Sequence, residues 1–294
     1  RCSSLATVKI PQSSKLTAIR VGAFTDCNSL TAINIPEGVD SIWDTSFANC
    51  ESLTSINIPE NSKLTYIGAS AFNDCSKLTT INIPTGVTSI KNFTFFNCSS
   101  LTSIKIPADS KLTSIGSSAF HHCESLTSIT IPAGVTEIRN NTFFYCSSLA
   151  AISVDEGNTA YDSRNDCNAI IETSTNTLVT GSATTIIPED VTSIAESAFS
   201  GRRGLTTITI PQDVTNIGDG AFVGCYGLSS IHVTEENPIY DSRDNCNALI
   251  RTKDNALIAG FNITSIPRSV TYICREAFAQ CDKFTGDLVI PNTV

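Results

Sequence analysis

The sequence has no methionine, one tryptophan and three histidines, and it carries few charged residues. Charged side chains make up 16% of the 294 residues, against roughly 25% in ordinary soluble proteins. The histidines (His121, His122 and His232) are too few and too scattered for an evident acid–base or metal site. No Gly-x-Ser-x-Gly motif marks a nucleophile, and no Cys-x-x-Cys pair marks a zinc site. The sequence therefore predicts no enzyme, no catalytic residue, no cofactor and no metal.

Long apolar runs and basic clusters are also missing. No stretch reaches the roughly 18 consecutive apolar residues of a membrane-spanning helix, so we expect no span in this sequence. The formal net charge is -9 and Arg202-Arg203 is the only basic pair. Because phosphate binding needs clustered Lys and Arg, we expect no nucleic-acid partner.

What the sequence does contain is an internal repeat. Each unit has the pattern Leu-x-x-Ile-x-Ile-Pro, then Val or Leu-x-x-Ile, then Ala-Phe-x-x-Cys. Ile-x-Ile places two side chains on one face of an extended segment, and the proline ends that strand. Stacked units bury their apolar residues against each other, which predicts one solenoid domain over residues 1–294 with about 11–12 turns. The Ile-Pro dipeptides follow at steps alternating between 25 and 23 residues: Ile10-Pro11, Ile35-Pro36, Ile58-Pro59, Ile83-Pro84, Ile106-Pro107 and Ile131-Pro132.

Two units are longer, at 33 residues each, and span residues 154–187 and 233–266. Both contain Tyr-Asp-Ser-Arg, followed by two apolar segments separated by a polar run, which predicts an inserted β-hairpin. The acidic residues of these segments suggest either a cation site or local pairing with arginine, and the spacing lacks the dense oxygen ligands of a calcium loop. These residues are Asp162, Asp166, Asp241 and Asp244.

The repeat resembles the BspA-like branch of bacterial leucine-rich repeats, over essentially the whole chain. Residues 126–132 and 214–225 match that pattern nearly letter for letter, although Arg202 stands where the pattern has Cys. The resemblance implies a leucine-rich-repeat solenoid, mainly β, right-handed and curved. It also implies a bacterial protein, secreted or on the cell surface, of a family similar in role to adhesins for matrix proteins such as fibronectin and fibrinogen.

Nine of the twelve cysteines share one position of the repeat. They should stack as an internal column of buried thiols, because Cys packs as a small hydrophobe. Disulfides between neighbouring turns are the alternative, but parallel side chains suit the required dihedral angle poorly. The nine are Cys2, Cys27, Cys50, Cys75, Cys98, Cys123, Cys146, Cys225 and Cys281.

The outward positions between the paired isoleucines form a polar column without an aromatic residue. Such a face is either a weak binding surface acting through many contacts or simply a solvated face. Its first members are Asn34, Asn57, Asn82, Lys105 and Thr130.

A sharper candidate lies at the two variable positions between Phe and Cys. These positions are small or polar in most turns, but three consecutive turns have Phe96-Asn97, His121-His122 and Phe144-Tyr145. Stacking should bring the rings together as a stripe on the outer edge, either as an exposed patch for a partner or as local loop packing. The predicted partner-binding residues are Phe96, His121, His122, Phe144 and Tyr145.

Two functional hypotheses remain. The first is an extracellular binding or adhesion module for a protein or glycan partner, and the second is a passive spacer that presents another domain away from the cell surface. A spacer should have a uniform surface, whereas a binding module should have a local patch that breaks the repeat. No polar capping unit closes either end of the sequence, although solenoids need caps. We therefore expect either that it belongs to a longer protein or that the end is covered in another way.

Overall fold

The computed structural model describes residues 2–279, 281 and 287–294. Contacts divide the chain into two compact units. The first comprises Arg1–Leu149 with Val154–Ala160, and the second comprises Ala150–Ser153 with Tyr161–Val294. Among the described residues no helix is long and apolar enough to cross a membrane.

The first unit contains two kinds of strand in alternation. The Ile-x-Ile segments form one kind, and the Val-x-x-Ile segments form short strands of two residues. The strands are β1 (Ala18–Ile19), β2 (Ala32–Asn34), β3 (Ser41–Ile42), β4 (Ser55–Asn57), β5 (Tyr66–Ile67), β6 (Thr80–Asn82), β7 (Ser89–Ile90), β8 (Ser103–Lys105), β9 (Ser114–Ile115), β10 (Ser128–Ile131) and β11 (Glu137–Ile138).

Each kind of strand pairs with its own kind in the next turn, and all these pairs are parallel. One sheet has the order β2-β4-β6-β8, and the other has the order β1-β3-β5-β7-β9-β11. Ile33 faces Ile56 in the first sheet, and Ile19 faces Ile42 in the second, so equivalent residues of the repeat lie side by side. This register confirms the predicted solenoid.

The core of the first unit is a set of columns, each made of one repeat position. The Phe residues of the Ala-Phe-x-x-Cys loops form the widest column. Each ring stacks on the ring of the next turn with centroids 5.3 to 5.5 Å apart. Because every ring touches the turns above and below, the apolar contacts lie between turns rather than within them. The column runs through Phe24, Phe47, Phe72, Phe95, Phe120 and Phe143.

The two longer repeats form the predicted hairpins. After β12 (Ala151–Val154), the first repeat has β13 (Tyr161–Asp162), one turn of 3-10 helix (Arg164–Asp166), β14 (Ala169–Glu172) and β15 (Thr177–Gly181). β14 and β15 are antiparallel, and β15 then pairs in parallel with β16 (Ser193–Ile194), which pairs with β18 (Asn216–Ile217). The second strand of the hairpin therefore takes the place of a short strand in the solenoid.

The second longer repeat has the same construction. Its elements are β20 (Tyr240–Asp241), a 3-10 turn (Arg243–Asn245), β21 (Ala248–Arg251), β22 (Ala256–Gly260) and β23 (Tyr272–Ile273). β21 and β22 are antiparallel, and β22 pairs in parallel with β23. Between the two repeats, β17 (Thr207–Ile210) pairs in parallel with β19 (Ser230–Val233).

Candidate functional site

The loops that contain Ala-Phe-x-x-Cys are held together by backbone hydrogen bonds between turns. In one loop, the amides of Phe93, Phe95 and Asn97 donate to carbonyl oxygens of the following turn at 2.8 to 3.0 Å. The same three bonds recur from turn to turn, and no variable side chain takes part in them. Main-chain atoms therefore make the same contacts between turns whichever side chains the loop presents.

Two positions in each of these loops have left-handed backbone, which favours Gly, Asn and Asp and costs other residues roughly 1–2 kcal/mol. In the first unit, one position is occupied by Gly22, Thr45, Ser70, Phe93, Ser118 and Asn141. The other, directly before Cys, is occupied by Asp26, Asn49, Asp74, Asn97, His122 and Tyr145.

The predicted stripe is a contiguous group of rings. Phe96 stacks on His121 with centroids 4.8 Å apart, and His121 stacks on Phe144 at 4.7 Å. His122 lies beside Tyr145 at 5.0 Å, and Phe93 meets Phe96 edge-on at 5.8 Å. We call this group, Phe93, Phe96, His121, His122, Phe144 and Tyr145, the aromatic cluster.

The members of the aromatic cluster differ in exposure. Phe96, His121, His122 and Phe144 are half-buried. Tyr145 is only 5% exposed, so its ring packs beneath the neighbouring rings and is not accessible to a partner. Phe93, which the sequence analysis did not select, is 43% exposed and extends the surface. The signal for Phe93 was its repeat position, where the equivalent turns have small or polar residues.

Three rings of the aromatic cluster stand on left-handed backbone. Phe93, His122 and Tyr145 have φ of 57°, 59° and 56°. Bulky residues are outliers in this region, and most other turns place small or polar residues there. The cluster therefore costs conformational energy that Gly or Asn would avoid.

The electrostatics of the cluster centre on the two histidines. Burial among the rings, with the neighbouring His122 as a smaller cause, lowers the pKa of His121 to about 4. The buried Nδ1 of His121 has no hydrogen-bond partner among the described residues. His122 Nδ1 lies 3.4 Å from a carboxylate oxygen of Glu124. At neutral pH the His121 ring is thus uncharged.

The residues of the polar column lie on the outer face of the Ile-x-Ile strands. All five residues selected there point away from the core and are exposed, on strands whose isoleucines are mostly buried. The face carries short side chains and one lysine, and it has none of the large anchors typical of tight interfaces. These residues are Asn34, Asn57, Asn82, Lys105 and Thr130.

Of the nine cysteines predicted to form the column, seven are buried as the repeat indicated, whereas Cys281 is half-buried and Cys2 is exposed. Buried thiols of the column donate to the carbonyl oxygen of Phe in the preceding turn, as in Cys98 to Phe72 at 3.2 Å. Cys50, Cys75 and Cys123 make the equivalent bond at 3.1 to 3.2 Å. Burial raises the pKa of Cys50 to about 12. The column is structural, because a protonated, buried thiol is a poor nucleophile.

Of the four acidic residues selected in the longer repeats, Asp162 and Asp241 pair with arginine. Arg164 donates to Asp162 through Nε and Nη2, at 2.9 and 2.6 Å, and its Nη1 reaches Asn176 at 3.0 Å. Arg243 contacts Asp241 and Asn255 in the same way. Within the described residues no group of three or more His, Cys, Asp or Glu side chains could hold a metal ion. These contacts favour local pairing over a cation site.

A second aromatic group lies on the sheet of short strands. Trp43 and Tyr66 have centroids 5.4 Å apart, Arg20 lies over Trp43 and Lys91 lies over Tyr66. The sequence analysis missed this group because Trp43 and Tyr66 occupy different repeat positions and meet only across neighbouring turns.

Sequence comparison identifies the family. The family described as "BspA type Leucine rich repeat region (6 copies)" matches residues 1–110, 65–175, 170–249 and 255–294. This chain belongs to the BspA-type leucine-rich-repeat family. No curated protein sequence matches it.

Solved structures agree with this assignment. A leucine-rich cell surface protein from Faecalibacterium prausnitzii is 29% identical, with a TM-score of 0.62 over 91% of this chain and 75% of its own. The pneumococcal vaccine antigen PcpA is 18% identical, with a TM-score of 0.68 over 95% of this chain and 78% of its own. The first has related sequence and fold, and the second has the same fold.

Proposed function

We propose that this BspA-type chain is an extracellular, surface-presented binding module that recognises a protein partner through the aromatic cluster. The observation that carries the proposal is the placement of three rings on left-handed backbone beside half-exposed, stacked rings. Backbone strain is concentrated at functional sites, where it persists because the surrounding structure enforces it.

The composition of the cluster supports recognition of a protein. Aromatic side chains bring large contact areas to interfaces at a low entropic cost and are enriched among the residues that dominate binding. Phe93 is an exposed apolar residue and Phe96 lies half-buried beside it, and the neighbouring turn supplies a polar rim. In that rim the Asn97 side chain donates to Asp74 at 2.6 Å. An apolar centre with a polar rim is the usual organisation of a protein interface.

Matrix proteins such as fibronectin and fibrinogen are the first partners to test, because the family resemblance points to adhesins. A glycan is the other ligand class, for which ring edges and the polar sheet face offer contacts. The polar face formed by Asn34, Asn57, Asn82, Lys105 and Thr130 is the weaker candidate surface. Its contacts would act together along successive turns.

The test is binding of the chain to immobilised fibronectin, fibrinogen and a glycan array. The variant combines Phe93→Ser, Phe96→Asn and Phe144→Asn, which introduces residue types found at these positions in other turns, as in Ser70 and Asn73. Tyr145 is left unchanged because its ring is buried. We expect saturable binding by the wild type, weakened at least about tenfold in the variant.

Trp43→Gly is the matched control, because it removes an aromatic side chain of the second group and introduces the residue found at Gly68 and Gly116. It should leave binding unchanged. Equal binding by the wild type and the triple variant would contradict the role of the cluster. Absence of binding to every protein and glycan tested would contradict the module itself and favour the spacer.

A further inference from the structure

Each longer repeat interrupts the internal columns of the second unit. The hairpin replaces an Ala-Phe-x-x-Cys loop, so the Phe and Cys positions of that motif have no member at this level. In both copies a glycine lies against the next Phe ring, and in the second copy the buried Phe261 beside it meets Phe222 edge-on with centroids 6.3 Å apart. A Cβ on Gly181 would lie 2.1 Å from the ring of Phe199, and a Cβ on Gly260 would lie 2.2 Å from the ring of Phe278. The two copies therefore place the same backbone against the same ring.

In the first copy an arginine fills the space left by the missing side chains. Arg202, three residues after Phe199, occupies the repeat position of the thiols and is 1% exposed. Its Nε donates to the carbonyl oxygen of Gly181 at 2.7 Å, and its Nη1 donates to that of Ser200 at 3.1 Å. The guanidinium group of Arg202 thus occupies core space next to the hairpin.

In the second copy the corresponding residue is Cys281, which is much shorter. Its thiol points to the carbonyl oxygen of Gly260 at 3.6 Å, the equivalent of the Gly181 oxygen that Arg202 contacts. A cavity of about 90 Å³ opens beside it. Residues lining the cavity include Phe222, Cys225, Gly260, Asn262, Ala277 and Cys281.

The cavity offers hydrogen-bond acceptors. Besides the Gly260 carbonyl oxygen, Asn262 contributes a side chain whose Oδ1 is buried and has no partner among the described residues. The first copy has Ala183 at this position, so the second copy gains an acceptor where it loses the guanidinium. Buried acceptors normally have a donor, because leaving one unpaired costs about 1–3 kcal/mol.

The rim of the cavity does not repel a cation. Asp219 and Glu276 both line it. Of the arginines there, Arg251 donates to Asp254 at 2.7 to 3.2 Å, and Arg275 lies 3.2 Å from Glu276. Both positive charges are already paired with carboxylates.

We propose that this cavity binds the guanidinium group of an arginine side chain supplied by a ligand, in the place that Arg202 fills from within the chain in the first copy. Guanidinium matches the first copy better than ammonium, because Arg202 donates from Nε and Nη1 of one planar group to two carbonyl oxygens. Guanidinium is also less strongly hydrated than ammonium, so it enters a buried site at lower cost. This proposal does not depend on the aromatic cluster, which lies in the other unit.

The test is isothermal titration of the whole chain with N-acetylarginine amide and N-acetyllysine amide at matched ionic strength. We expect saturable binding of the arginine compound, at least about tenfold tighter than that of the lysine compound. Methylguanidinium at low concentration separates the possible sources. Equal affinity would indicate a free small molecule, and tighter binding of the amide would indicate a peptide side chain; both support a guanidinium site.

Two variants locate the binding. Cys281→Arg should abolish it, because the new side chain fills the cavity as Arg202 does, and it should raise the melting temperature. Asn262→Ala should weaken binding about tenfold or more through loss of one acceptor, while Asn61→Ala at an exposed position of the other unit should not change it. The absence of any preference for arginine over lysine in the wild type would overturn the proposal. So would unchanged binding in Cys281→Arg or, if that variant does not fold, in Asn262→Ala.

Discussion

Left-handed backbone at two positions per loop is the feature that separates the aromatic cluster from equivalent residues elsewhere in the first unit. The position before Cys has left-handed backbone, which costs little conformational energy for Asp26, Asn49 and Asp74. The same backbone costs more for His122 and Tyr145. Stability and binding should therefore respond in opposite directions to the same substitution.

His122→Asn tests this opposition. Asn tolerates left-handed backbone and already stands at the equivalent Asn49 and Asn97. We expect the free energy of unfolding to rise by about 0.5 kcal/mol, measured by denaturant titration, and binding to the partner to weaken. Asn97→His is the reverse control and should lower stability. A loss of stability in His122→Asn would show that the contacts of the His122 ring contribute more free energy than its left-handed backbone costs.

His121 makes stability depend on pH. The unfolded chain binds the imidazole proton with a pKa of about 6.5, whereas the folded chain binds it with a pKa of about 4. Between these values the unfolded state binds more protons, so stability falls as pH decreases from about 6.5 to 4. His121→Asn should remove this contribution. The measurement is the difference in thermal midpoint between wild type and variant across that range, and a constant difference would contradict it.

The burial of Tyr145 shows what the sequence could not provide at this scale. The two variable positions look alike in the sequence, and adjacency across turns was enough to predict that their rings meet. The sequence does not show which ring is buried, because His122 and Tyr145 share the position before Cys and the left-handed backbone, and only Tyr145 is buried. Phe93 lies outside the two variable positions and joins the cluster through its edge-on contact with Phe96.

At the scale of the elements, buried cysteine thiols of the column link neighbouring turns through hydrogen bonds to backbone carbonyl oxygens. Its thiols are protonated because burial raises their pKa, to about 12 for Cys50 and for Cys225. Cys2, in contrast, is exposed.

Thiol labelling should separate these environments. We expect a thiol reagent at pH 8 to modify Cys2 rapidly in the folded protein, because thiolate character and access determine the rate. Cys2→Ser should remove this fast phase, whereas Cys50→Ala should leave it unchanged. Rapid labelling that disappears in Cys50→Ala would mean that the column opens to solvent.

The two hairpins provide a matched pair for the arginine contacts. Arg164 and Arg243 make equivalent bonds, but Arg164 also pairs with the carboxylate of Asp190, where Arg243 faces the hydroxyl of Ser269 at 3.4 Å. We expect Arg164→Met to lower the free energy of unfolding more than Arg243→Met, by about 0.5 kcal/mol, since Asp190 is largely exposed. Parallel denaturant titrations measure both variants. Equal losses of unfolding free energy would mean that the ion pair between Arg164 and Asp190 does not stabilise the fold.

The hairpins themselves followed from two apolar segments separated by polar residues. The cavity beside the second hairpin did not, because it depends on the absence of a long side chain at Cys281. In the sequence, Arg202 was only a departure from the repeat. Its role in filling the core becomes visible when both copies are compared in three dimensions.

At the scale of the whole molecule, stability should depend on how many neighbours each turn has. Phe72 stacks on Phe47 and on Phe95 and is fully buried, whereas Phe24 is half-buried and stacks on Phe47. We expect Phe72→Ala to cost about 3–5 kcal/mol and Phe24→Ala about half as much. Denaturant unfolding measures both, with Phe72→Leu as a milder control. Equal costs would contradict a nearest-neighbour description of the solenoid.

The repeat itself was predictable from the sequence for a simple reason. A solenoid turn contacts only its neighbouring turns, so the same set of apolar positions can form the core of every turn. Those positions therefore recur along the sequence. The surfaces were less predictable because they arise from departures from the repeat, such as Phe93, Trp43 and Cys281, whose effects depend on the adjacent turns.

The backbone bonds between loops also bear on how such a protein can change over generations. Because the bonds at Phe93, Phe95 and Asn97 involve main-chain atoms alone, the loop accepts a new pair of residues before Cys without a new fold. Nearly identical repeats also invite unequal recombination, which exchanges whole turns. The aromatic pair can thus be copied, moved or erased one turn at a time while the architecture stays the same.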